Sequence, residues 1–397
     1  MSWPLVKLGN VCERVSVGHV GITSEYYTDH TGIPFLRTQN LNADGIVLND
    51  VKYITQEFHS ALKKSTLASG DVVLSRVVST SINCGIVPDY LDGANCANII
   101  LARPNKTKLD AAYLIHYIRS SDVQRSLLKR QVGSAQSVVN TAVLKSWPIP
   151  LPPLEEQKRI AVILDKADAI RRKREQAIKL ADDFLRSVFL EMFGDPVTNP
   201  KGFKKVPITE LTDVITGFAF KSNGYIGDSP DAVRLCRGTN TLTGYLDWSD
   251  TAYWSKNKLE KLEGYLIKAG DIILAMDRPW ISSGLKVCVF PENQRETYLV
   301  QRVARLRPRR ESYTDYIYSC IKSLAFENHC CPTETTVPHI SPVELKNFEV
   351  LLPNPELIEK YHSVVSVINS SVKQMTKGKS ISEDMFASLS QKAFSGK

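Results

Sequence analysis

The chain is written twice, and no other feature limits its fold so strongly. Sliding the 397 residues against themselves gives ordered matches at an offset of about 200. Val6-Lys7-Leu8 lies over Val206-Pro207-Ile208, and Arg37-Thr38-Gln39-Asn40 lies over Arg237-Gly238-Thr239-Asn240. Gly70-Asp71-Val72-Val73-Leu74 meets Gly270-Asp271-Ile272-Ile273-Leu274, and Arg103-Pro104 meets Arg307-Pro308. The stretch from Leu144 to Pro152 then meets Leu345 to Pro353. The drift of a few residues between matches is what loop insertions produce.

Within each copy the first ~150 residues are broken by Gly, Pro, Asn and Asp into short β-branched runs, with helical stretches near Leu109 to Ile118 and Tyr313 to Ile321. That pattern predicts a compact α+β domain. After Pro152-Pro153 it changes: Glu155 and Glu156 occupy a first turn, and no Gly or Pro follows until Gly194. A helix of about 38 residues, roughly 57 Å long, is expected there. Ile160, Ile163, Ala167, Ile170, Ala177, Ala181, Phe184 and Val188 form a heptad seam, interrupted by Arg174. A second helix starts near Glu356, with Tyr361, Val364, Ile368, Met375, Met385 and Leu389 near its seam. Ser371, Gly378 and Ser382 weaken it, so a break is expected around Lys377-Gly378-Lys379. The expected architecture is two globular domains, 1–150 and 196–353, alternating with two helical spacers, 151–195 and 354–397, which pair as an antiparallel coiled coil.

Composition narrows the class. Hydrophobic residues at 43% and charged residues at 23% suit a folded globular protein. No apolar run approaches the ~20 residues that span a bilayer, and Met1-Ser2-Trp3-Pro4 does not open a signal peptide, so a cytoplasmic protein without a membrane partner is expected. The eight cysteines contain no C-x-x-C pair, and Cys330 and Cys331 are adjacent, which favours buried thiols. A net charge of +8 permits a polyanion partner but does not require one.

The alternating domains and helices resemble the specificity (S) subunits of type I restriction-modification systems, the HsdS family, over nearly the whole chain. The motifs that carry the resemblance are Leu151-Pro152-Pro153-Leu154-Glu155-Glu156-Gln157-Lys158-Arg159-Ile160, the Gly-Asp-hydrophobic triplets, and the helix exit Phe193-Gly194-Asp195-Pro196. The resemblance implies that the globular parts are target-recognition domains, each reading half of a split, asymmetric site in double-stranded DNA. It also implies that the helices set the gap and dock two methyltransferase (M) subunits, which methylate adenine N6 with S-adenosylmethionine. Motor-nuclease (R) subunits would cut unmodified DNA, with ATP and Mg expected on the partners, no cofactor in this chain, and no chemistry done by it. Size points the same way independently. A ~150-residue domain is ~38 Å across, and two side by side on B-DNA cannot have centres closer than about one helical turn.

Enzyme motifs are missing. The only Pro-Pro opens a helix and lacks the Asn/Asp-Pro-Pro-aromatic form used to grip a flipped adenine. Gly378-Lys379-Ser380 ends like a phosphate-binding loop, but Lys373 stands where its first Gly belongs. The seven histidines include no H-E-x-x-H. Asp71 and Asp271 each follow Gly before a strand, where a turn role is expected. A specificity subunit of a related type II system, a stand-alone DNA-cleaving enzyme with a cryptic site, and a coiled-coil scaffold without DNA are the other readings.

Candidate DNA-binding residues fall into two groups. Arg37, Gln39 and Asn40 recur as Arg237, Thr239 and Asn240, and Arg and Asn/Gln side chains match guanine and adenine edges. A motif shared by domains that read different sequences is, however, expected more often of scaffold or phosphate contact. Residues that differ between the copies are the better specificity candidates: Arg76, Ser134, Gln136 and Ser137 in the first, and Arg278, Trp280, Thr333 and Thr335 in the second. Trp280 also reads as a packed aromatic. Two basic runs, Arg302 to Arg310 and Arg171 to Arg174, read as solvated faces, the first also as a phosphate contact and the second as a match for an acidic partner.

Overall fold

Strand Val72–Ser75 is buried on both faces, and the layering of the first globular domain follows from that. Side chains alternate across a strand. Val72 and Leu74 therefore join one core with the helix Ala111–Arg119, while Val73 joins another with Leu36, Cys96 and Leu101. The sheet order is Cys84–Ile86, Val72–Ser75, Ile99–Pro104, Cys12–Val17, antiparallel throughout. A second four-stranded sheet, Asn95–Cys96, Ile33–Leu36, Lys52–Ile54 and Tyr27–Thr28, covers its other side. Strand Leu5–Lys7 pairs with Pro148–Pro150, so the domain's two ends are stitched together.

The second globular domain repeats the plan. Thr212–Thr216, Val303–Pro308, Ile272–Ala275 and Val287–Val289 form its first sheet in the same order. Ile272 and Leu274 again face the helical core while Ile273 faces the opposite one. Its second sheet has three strands, Ala252–Ser255, Ala232–Cys236 and Thr297–Leu299, and Lys204–Pro207 pairs with Glu349–Leu352. Cys84, Cys96, Cys236, Cys288 and Cys320 are buried, and burial pushes the Cys96 and Cys236 thiols up to about 12.

These elements come from a computed structural model, which describes residues 3–78, 81–129, 137–330 and 339–395. The chain divides into two units, Met1–Gln176 with Thr376–Lys397, and Ala177–Met375. Each unit holds one globular domain, the start of one long helix and the end of the other. The first long helix is Leu154–Phe193 and the second is Pro355–Ser395. Gly194, at φ +79°, ends the first in the left-handed turn that favours glycine.

In the first unit Gln157, Ile160, Ala161, Leu164 and Ala167 are the buried residues of the first long helix. The end of the second helix packs beside them in the opposite direction. Trp3 Nε1 donates to Ala393 O at 2.8 Å and Phe394 meets Tyr113 and Tyr117 edge-on. Further back along that helix Phe386 lies by His116, which hydrogen-bonds Asp165 at 2.8 Å. In the second unit Phe189 and Phe193 pack with Tyr316, and with Tyr361 of the second helix.

Two expectations change. The buried stripe of the first helix is 157-160-161-164-167, whereas Ile163, Ile170 and Phe184 of the expected seam are exposed. A helix lying on a globular domain buries a stripe wider than a two-residue heptad seam, and the spacing alone does not say which apolar edge faces inward. The second helix, moreover, runs unbroken through Lys377-Gly378-Lys379. One glycine costs a helix interior only about 1 kcal/mol, too little to divide 41 residues anchored at both ends.

Candidate nucleic-acid interface

The repeated Arg-x-x-Asn turn is built on the same plan in both units. Asn40 Oδ1 accepts from Arg37 N at 2.9 Å, and its Nδ2 donates to Val47 O and Asn49 O at 3.2 and 3.1 Å. Asn240 Oδ1 accepts from Arg237 N at 3.1 Å, and its Nδ2 donates to Asp247 O and Asp250 O at 2.9 and 2.8 Å. Both asparagines are buried, with their hydrogen-bonding groups turned inward. Arg37 and Arg237 pair with Asp50 and Asp250 at 3.1 and 3.0 Å. These four residues hold a turn. Gln39 and Thr239, at its tip, are exposed, with Gln39 Nε2 donating to Asp50 Oδ2 at 2.8 Å.

Beside this turn each unit gathers its differing segments. In the first unit Asn98 is the hub: its carbonyl accepts from Thr38 Oγ1 at 2.9 Å, and its side-chain oxygen accepts from Arg76 Nη1 at 3.4 Å. Arg76 O accepts from Val139 N at 2.9 Å, just past the strand Ser137–Val138, which pairs with Val77–Val78. Ser134 and Gln136 lie outside the described residues, but the chain that follows them is anchored at Arg76.

In the second unit Lys286 Nζ donates to Gly238 O at 3.3 Å, joining the turn to the hairpin Trp280–Ile281 and Gly284–Leu285. Burial holds that ammonium below its usual value, Asp277 opposing the shift and Arg278 adding to it. Asp277 pairs with Arg302 at 2.7 Å and accepts from His339. Ile340 N donates to Met276 O at 2.9 Å, so the chain following Thr333 and Thr335, themselves outside the described residues, returns beside Arg278. Arg278 is exposed, and Trp280 is half-buried with its ring 6.5 Å from Phe326.

The two basic runs are largely neutralised from within. Arg305 and Arg307 pair with Asp213 and Asp271 at 2.8 and 2.7 Å, while Arg302, 72% exposed, lies with Asp277 beside the candidate face, and Arg309 and Arg310 at the end of the run are exposed as well. Arg171 and Arg172 pair with Asp168 at 2.8 Å each, and Arg172 also reaches Asp44 at 3.0 Å.

Sequence reasoning passed over Asn98, Lys286 and His339, read Arg302 only as one member of a basic run, and gave Asp277 no part in DNA binding. A signal for Asn98 and for singling out Arg302 existed, since each stands five residues ahead of the repeated Arg103 and Arg307. Among the described residues no three His, Cys, Asp or Glu side chains gather as a metal site would need, and no helix is long and apolar enough to cross a membrane.

A family model described as the type I restriction modification DNA specificity domain matches residues 2–180. The MjaVIII type I restriction enzyme specificity subunit of Methanocaldococcus jannaschii is 23% identical, over 94% of this chain and 88% of its own. The EcoKI specificity subunit of Escherichia coli K12 is 21% identical, over 92% and 82%. Among solved structures, the S subunit of a type I restriction-modification system from M. genitalium shares the fold at a TM-score of 0.59 and 12% identity, covering 99% of this chain and 96% of that one. A chain from a study of type I complex assembly and conformational transition matches at 0.54 and 19% identity, covering 100% and 98%.

Proposed function

We propose, from the premise that this chain belongs to the specificity-subunit family of type I restriction-modification systems, that it reads a two-part DNA site, one half with each globular domain. One observation carries the reading. In both units a similar scaffold, the Arg-x-x-Asn turn and the sheet behind it, presents a neighbouring patch whose side chains differ: Arg76 and Asn98 in one, Arg278, Lys286 and Arg302 in the other. A constant frame with variable contacts is the arrangement that reading two different sequences requires.

The chain acts without catalysing a reaction of its own. Two methyltransferase subunits dock on the long helices, bringing S-adenosylmethionine, and motor-nuclease subunits bring ATP and Mg. Supporting the docking, Val162, Ile163 and Ile170 in the first unit and Leu180, Phe184 and Leu190 in the second are exposed apolar residues of the first helix. An open cavity of about 380 Å³ lies between Trp3, Ile160, Ile163, Leu389 and Ala393. The complex works in the cytoplasm, where the DNA is.

Selection from a randomised duplex library, by the chain assembled with its methyltransferase partners, tests this. Two short fixed blocks separated by a fixed unread gap are expected. A library recovered without sequence preference at moderate salt overturns the reading, and Mg²⁺-dependent cleavage by the isolated chain would favour a stand-alone nuclease instead.

A further inference from the structure

We infer that Asn98 and Arg302 occupy one equivalent position in the two domains and that this position reads a base in each half-site; the inference rests on the DNA-reading face proposed above. Three observations meet there. The first is backbone geometry. Asn98 and Arg302 are left-handed, at φ +53° and +65°, each where the chain crosses from the second sheet of its domain into the long strand of the first, Ile99–Pro104 or Val303–Pro308. Glycine makes such a crossing without strain, yet neither unit uses it. Asn accepts this conformation through its short polar side chain, whereas Arg gains nothing local from it. A strained residue that glycine would relieve points to a use for the side chain.

The second observation is chemical difference at a constant place. The flanking frame repeats, with an isolated bridge just before each residue, His19 to Ala97 and Phe218 to Val300, and the repeated Arg-Pro five residues later. The crossing carries one residue more in the second unit, where Gln301 and Arg302 stand between Val300 and Val303 and Asn98 alone stands between Ala97 and Ile99, but in both units the left-handed residue is the last before the strand and its side chain differs. Asn suits the donor and acceptor of an adenine edge, and Arg suits the two acceptors of guanine.

The third is presentation. Asn98 is fixed by Thr38 and Arg76, and Arg302 by Asp277, all at the candidate face. Asp277 engages Arg302 through Nη1, while a guanidinium carries five donors and this side chain is 72% exposed. Asp277 is thus a positioning residue, aiming the arginine and leaving its fork to meet a base.

Glycine substitution separates this role from a structural one. Arg302→Gly and Asn98→Gly remove the left-handed strain, so the melting temperature of the full chain in its methyltransferase complex is expected to hold or rise. Selection from the randomised duplex library is expected to show roughly tenfold weaker preference at one base pair, in the second block for Arg302→Gly and in the first for Asn98→Gly, with the other block unchanged. Arg302→Lys keeps the charge without the fork and should not restore the preference, whereas full restoration by lysine would mean a phosphate contact and overturn base reading. Asn98→Asp keeps the backbone preference and should change the favoured base pair, which keeps the test decisive if a glycine variant fails to fold. A parent complex that selects two blocks, with both blocks intact in every variant, overturns this inference alone. A parent that selects none overturns the function proposed above, and this inference with it.

Discussion

Asp71 and Asp271 each follow a glycine in the repeat, and each is met by the arginine that repeats downstream. Arg103 binds Asp71 through Nε and Nη2, both at 2.7 Å, and Arg307 does the same with Asp271. Both carboxylates are buried and also accept a backbone N–H three residues upstream, Ala68 N or Lys268 N. Removing one partner strands a buried charge. Asp71→Ala is expected to destabilise the first unit by about 2–3 kcal/mol, less than a fully buried pair would because Arg103 is 29% exposed. Denaturant unfolding followed by hydrogen exchange should place the loss in 1–150 and spare the second unit. Recurrence in the sequence marked all four residues as important, and the turn role expected of the aspartates is visible. Their pairing was not legible, because residues 32 apart meet only once the sheet order is known. Gln157 shows the converse. It stands in the helix-opening decapeptide, where it accepts from Asp110 N and donates to Lys108 O and Pro152 O, all at 2.9 Å, yet the second helix places buried Ile358 at the matching point. Burial is conserved across the repeat while polarity is not.

The long helices were the easiest elements to see and the hardest to orient. Proline at the start and glycine at the exit bracket the first within a residue or two of Leu154–Phe193, because capping is a local property. Which edge faces the domain depends on what packs against it. Gly194 makes the exit testable: a Cβ there would meet Pro200 Cγ at 2.8 Å as well as the left-handed backbone. Gly194→Ala should therefore cost roughly 1–2 kcal/mol in thermal unfolding. Within the same helix, burial raises the Asp168 carboxyl, but hydrogen bonds from Arg171 and Arg172 and their charges outweigh it and hold it below its ordinary value of 3.8. A lowered carboxylate stabilises the fold above its unfolded value, and that stability is lost as pH falls through the folded one. Asp168→Ala should thus lower stability by about 0.5–1 kcal/mol at neutral pH. The difference from the parent should shrink below pH ~4 and vanish at still lower pH. A gap that persists through strongly acid unfolding curves would remove the ion pairs as its cause.

For the whole molecule, the repeat in the sequence and the compact units in space are cut at different places. The sequence repeats domain-then-helix, but each unit closes with the tail of the other helix. That exchange was out of reach of the sequence, since it depends on where Phe386, Leu389, Ala393 and Phe394 find a surface. Truncation before Phe386 is expected to expose Tyr113 and Tyr117 and to speed hydrogen exchange in 111–119, leaving the sheet of the second unit as protected as in the full chain. If the second unit loosened instead, the assignment of that helix end would be wrong. Lengthening the first helix by one turn should change the unread gap of the selected DNA and leave both blocks intact. The closing contact of Trp3 with Ala393 also bears on the order in which the protein becomes whole. The unit 177–375 is one continuous stretch and can finish folding while the chain is still being made. The domain that leaves the ribosome first must wait longest for its cover, its tyrosine-lined flank open until residues 386–394 arrive. A partner that meets the nascent chain would therefore find a complete second domain before a complete first one.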